Sequence, residues 1–133
     1  MPHYDYLQNQ IDELGKFLGK LLALLLQIDR DKEETGIILQ VETNLQNEGG
    51  LDLEKLLNQS VEEIIEVIGT KDTPPFTNLD LLAKIMCQLS YWDKARQHML
   101  RLKSKQLLEY LLVHDPVYRL DREVLLDELN KKI

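Results

Sequence analysis

Residues 4–28, YDYLQNQIDELGKFLGKLLALLLQI, constrain this chain more than any other stretch. Tyr4, Leu7, Ile11, Leu14, Leu18, Leu21, Leu25 and Ile28 recur at alternating steps of three and four, a heptad-like helical seam. Phe17, Leu22, Leu24 and Leu26 add a second apolar surface in the C-terminal half. A helix that is apolar on one side lies on a surface. One that turns apolar on several sides must be covered by the rest of the chain or by a second copy. Fully burying one large aliphatic side chain is worth about 1.5–3 kcal/mol. Leaving several of these leucines in water would forfeit much of a typical net stability of about 5–15 kcal/mol. A membrane does not resolve the problem. A span needs about 20 apolar residues, and here the longest run is Leu21–Leu26, with Asp12, Glu13, Lys16 and Lys20 before it.

The remaining composition points the same way. Of 133 residues, 44% are apolar, with leucine dominant, and only 6% are aromatic. That favours helices in one globular domain over residues 1–133. The net charge of −7 argues against a general nucleic-acid binder. It is unevenly spread: residues 1–70 hold 14 acids and 5 bases, net −9, and residues 71–133 hold 9 acids and 11 bases, net +2. One cysteine, Cys87, excludes an intrachain disulfide. With no basic n-region at the N-terminus, a cytoplasmic location is expected.

The expected fold is all-α, a compact array of about six helices. Asp5 is placed to cap the first helix. Gly15 and Gly19, four apart, clear one face for close helix contact. The charged run 29–34 fails as a calcium loop, because the turn position holds Glu34 and the twelfth position Gln40. A solvated turn is the better reading. Residues 35–46 carry a narrow stripe of Ile37, Ile38, Val41 and Leu45, ended by Gly49-Gly50. Residues 53–68 form a clear amphipathic segment. The capping-box spacing of Ser60 and Glu63 suggests two short helices with a break near Asn58. Pro74 and Pro75 make residues 70–76 a crossover between helical layers. Thr77 and Asp80 have capping-box spacing before the next helix. After a tight turn at residues 90–93, a long helix reaches Val113, and Asp121 caps the last one.

Leu82-Ala83, Leu89-Ser90-Tyr91-Trp92-Asp93-Lys94-Ala95 resemble one tetratricopeptide-type helical hairpin. That likeness implies that Ala95 packs on the preceding helix. Ser90 stands where such hairpins carry glycine, and no second match follows at the repeat period. The opening Asp5-Tyr6-Leu7-Gln8-Asn9-Gln10-Ile11-Asp12-Glu13-Leu14 is similar to small bacterial all-helical proteins of the domain-of-unknown-function kind. That resemblance implies no activity.

Nothing in the sequence specifies catalysis, a cofactor or a metal. His3, His98 and His114 share no ligand spacing, and Cys87 on an apolar helix reads as a buried inert thiol. Glu62, Glu63 and Glu66 read as a solvated helix face. The expectation is therefore a non-enzymatic interaction or scaffold module that meets a protein partner and forms a homodimer through Leu7, Ile11, Leu14, Leu18, Leu21 and Leu25. The alternative is RNA or an anionic ligand on a basic stripe of the helix over residues 93–113. Lys94, His98, Arg101 and Lys105 fall there on one side, with no acid between Lys94 and Lys105.

Overall fold

A computed structural model describes residues 2–30, 36–69 and 75–133, with side chains from Leu7 onward. Its helices are α1 (Pro2–Leu26), α2 (Ile37–Gly49), α3 (Leu53–Asn58), α4 (Val61–Ile68), α5 (Phe76–Leu89), α6 (Gln97–His114) and α7 (Leu120–Lys132). No strand occurs among the described residues, so the all-α expectation holds. The charged turn at residues 31–34 and most of the crossover, residues 70–74, lie outside the described residues. So does the side chain of Tyr4.

The helix ends follow local chemistry. Ser60 accepts from the Glu63 N–H and the Glu63 carboxylate accepts from the Ser60 N–H, both at 3.1 Å. This capping box starts α4 afresh after the break at Asn58. Gly50 closes α2 with φ of +64°, a left-handed conformation that glycine adopts without strain. At Gly69 a side chain would run into Pro75, whose Cδ lies 2.6 Å from the Cβ position, so glycine lets the two ends of the crossover meet.

Other expected caps are absent. Asp5 lies inside α1 rather than before it. Asp80 does not cap α5, which starts at Phe76 without a side-chain cap. Its carboxylate instead takes Arg122 and Lys84, each at 2.8 Å. Asp121 falls in the first turn of α7 and pairs with Lys84 at 2.6 Å.

The core is centred on α5, not on α1. Helix α5 packs against α1 on one side and α6 on the other. Leu79, Leu82, Ala83, Ile85, Met86 and Leu89 are all completely buried. Three of its polar residues, Asn78, Asp80 and Gln88, are buried too, each with a partner. The Asn78 amide donates to the Ile11 carbonyl at 3.0 Å. Gln88 accepts from Arg30 at 3.2 Å. Asp80 holds Arg122, which also donates to Asp115 at 2.7 Å. Burial alone would raise the Asp115 pKa, but the Val117 N–H and the Arg122 guanidinium hold it below the usual carboxylate range. This ion network fastens α7, whose buried residues are only Arg122 and Leu129.

Candidate docking groove and basic face

Helix α1 divides into two parts. Leu18, Leu21, Leu22 and Leu25 are buried in the core, none more than 8% exposed. Leu14 and Phe17 are half-buried against it. Leu7 and Ile11 are half-buried but stand outside the core cluster. The division corrects the expected dimer seam: Leu18, Leu21 and Leu25 are already covered by their own chain, chiefly by α5 and α2. Only Leu7, Ile11 and Leu14 remain for a contact with another molecule.

Those three side chains border a groove of about 780 Å³. Phe17, Val67 and Ile68 complete its apolar wall, and Glu13, Glu48 and Glu66 carry its charge. Among the described residues no lysine or arginine lines it. A second hollow of about 640 Å³ lies across α1, between Ile11 and Phe76. Ile11 borders both, so this half of α1 is a ridge between two depressions. Asn78 holds the ridge at its base, and Gly15 makes room for it. A Cβ at Gly15 would sit 2.8 Å from the Asn78 Oδ1, whereas nothing lies within 4 Å of one at Gly19. The expected close contact thus exists at Gly15 alone, against a side chain.

The basic residues between Lys94 and Lys105 separate into two sets. Arg96 and Lys103 face the first half. Arg96 bonds Asp93 at 2.7 Å, Glu54 at 3.2 Å, and Glu42. Lys103 reaches the Gln59 carbonyl at 2.5 Å. Lys94, His98, Arg101 and Lys105 have no carboxylate partner among the described residues. They do not form one helical stripe, however. Helix α6 begins at Gln97, and Lys94 lies in the preceding turn. There Asp93 accepts from the Arg96 N–H at 3.2 Å, and Gln97 donates to the Ser90 carbonyl at 2.7 Å. These local bonds delay the helix. Ala95 is exposed in the same turn.

Sequence reasoning missed what Arg101 joins. Its guanidinium lies 5.5 Å from the centre of the Tyr91 ring, with Arg30 at 4.2 Å and Lys132 at 4.3 Å. These residues come from three parts of the chain, and no spacing rule connects them.

Cys87 is buried, and burial pushes its thiol up to about 11. His98 is exposed and borders none of these hollows. Among the described residues no group of three or more His, Cys, Asp or Glu is placed to hold a metal ion. Nor is any described helix long and apolar enough to cross a membrane.

No family model, curated protein or solved structure matches this chain.

Proposed function

We propose that this protein works by association, docking a cationic amphipathic helix of a partner protein into the groove beside the N-terminal half of α1. The observation that carries this reading is the ridge itself: Leu7 and Ile11 continue the apolar seam past the core, with a hollow on either side. A partner helix would bury those side chains at the usual helix-in-groove spacing. Glu48 and Glu13 on the groove rim, the latter 3.4 Å from Lys16, favour a cationic partner. A second copy is the rival occupant. It is disfavoured because its own ridge carries Asp12 and Glu13 into an acidic rim.

Fluorescence anisotropy tests the proposal with two labelled helical peptides that share one apolar face, one lysine-rich and one glutamate-rich. The lysine-rich peptide is expected to bind, and Ile11→Asp to weaken it by roughly tenfold or more with the melting temperature kept. Equal binding of both peptides, or none, defeats the reading. Light scattering on the chain alone covers the rival. A dimer that Ile11→Asp dissolves would assign the groove to a second copy.

A further inference from the structure

We propose that the face where α1, α5 and α7 end is a binding site for a phosphoryl dianion, held by Arg30, Arg101 and Lys132 around Tyr91. The Tyr91 hydroxyl accepts from Arg30 at 3.1 Å and from Lys132 at 2.8 Å, and donates to Glu128 at 2.8 Å. Both guanidinium groups are fixed by buried polar side chains beneath them. Gln88, 3% exposed, accepts from the Arg30 Nη2. Ser90, 0% exposed, accepts from the Arg101 Nε at 3.2 Å and itself donates to the Cys87 carbonyl at 2.6 Å. Held by its Nε, Arg101 keeps both Nη groups without a carboxylate partner among the described residues.

Among the described residues, the three cations and the Glu128 carboxylate sum to +2, in a chain of −7. Part of that charge answers the helix ends, since the C-terminus of a helix carries about half a negative charge. That accounts for Arg30, just beyond α1, and for Lys132, at the end of α7. It does not account for Arg101, in the second turn of α6, where the helix end is positive. A preorganised arginine fork without a carboxylate matches the oxygens of a phosphoryl group. A phosphate monoester carries a charge of about −1.5 to −2, which the cluster balances. A nucleic-acid phosphate is a monoanionic diester and would leave half of it unmatched.

Amide chemical shifts of the full chain test the site during titration with inorganic phosphate, phenyl phosphate and dimethyl phosphate. Sodium chloride at matched ionic strength is the control, at about pH 8, where inorganic phosphate and a phosphate monoester (second pKa about 6) are both mostly dianions. Inorganic phosphate or phenyl phosphate is expected to give saturable shifts over residues 88–101 and at Lys132. Binding of the first alone identifies a free anion as the ligand, and of the second alone a phosphorylated small molecule. Arg101→Gln is expected to weaken binding by roughly tenfold with the melting temperature kept. Lys94→Gln, outside the cluster, is expected to leave it unchanged. If Arg101→Gln does not fold, Lys132→Gln takes its place with the same expected loss. Shifts that track chloride, equal binding of dimethyl phosphate, or full affinity in the cluster variants would overturn the proposal.

Discussion

At the scale of single residues, identical amino acids in one helix carry opposite instructions. Gly15 and Gly19 look interchangeable in the sequence, and each costs a helix about 1 kcal/mol against alanine. Only Gly15 has a neighbour, the buried Asn78 amide that donates to the Ile11 carbonyl. Gly19→Ala is expected to stabilise the protein by about 0.5–1 kcal/mol. Gly15→Ala is expected to destabilise it by about 1–2 kcal/mol, because displacing Asn78 strands a buried amide and outweighs the gain in helix propensity. Urea denaturation of both variants reads the two signs directly. Cys87 was legible as a buried thiol because it sits next to Met86 in an apolar run. Asp80 was not legible: its spacing from Thr77 copies a capping box, and only tertiary contact reveals that Arg122 takes the carboxylate.

At the scale of elements, α1 is one helix with two environments. The C-terminal half is core, and the N-terminal half is a ridge. Leu25→Asp places a charge at a position 1% exposed and is expected to abolish cooperative folding. Leu7→Asp, on the half-buried ridge, is expected to change stability by less than about 1 kcal/mol. Circular dichroism melts of the two variants distinguish them. If both unfold the protein, the ridge belongs to the core. The seam announced all of these leucines alike, because periodicity reports which side of a helix is apolar and not how far along its length cover extends. Helix α5 shows the reverse. Asn78, Asp80 and Gln88 are polar, yet among the described residues it is the most enclosed element. Each polar group finds its partner on another segment: the Ile11 carbonyl, Arg122 and Arg30.

At the scale of the whole molecule, the uneven charge of the two halves has a partial structural counterpart. Arg96 joins α2 and α3 to the turn before α6 through Glu42, Glu54 and Asp93. Arg30 and Glu128, 3.5 Å apart, also join the two halves, but with the signs reversed. Arg96→Gln leaves three carboxylates without their cation and is expected to cost about 1.5–3 kcal/mol. A double-mutant cycle with Glu42→Gln checks it: if Arg96 acts as a cross-half tie, the two losses are less than additive. Arg101, which this tie does not use, meets Arg30 and Lys132 around Tyr91 instead.

The all-helical class, the buried character of the second half of the first helix, the capping box at Ser60 and the inert setting of Cys87 were determined by the sequence itself. Helical periodicity, local capping and apolar composition act between residues close in the chain, so spacing alone reveals them. Which helix lies at the centre, where the apolar seam loses its cover, and which cations gather on one tyrosine were decided only by the tertiary structure. Each depends on groups far apart in the chain, brought together by packing that no periodicity encodes.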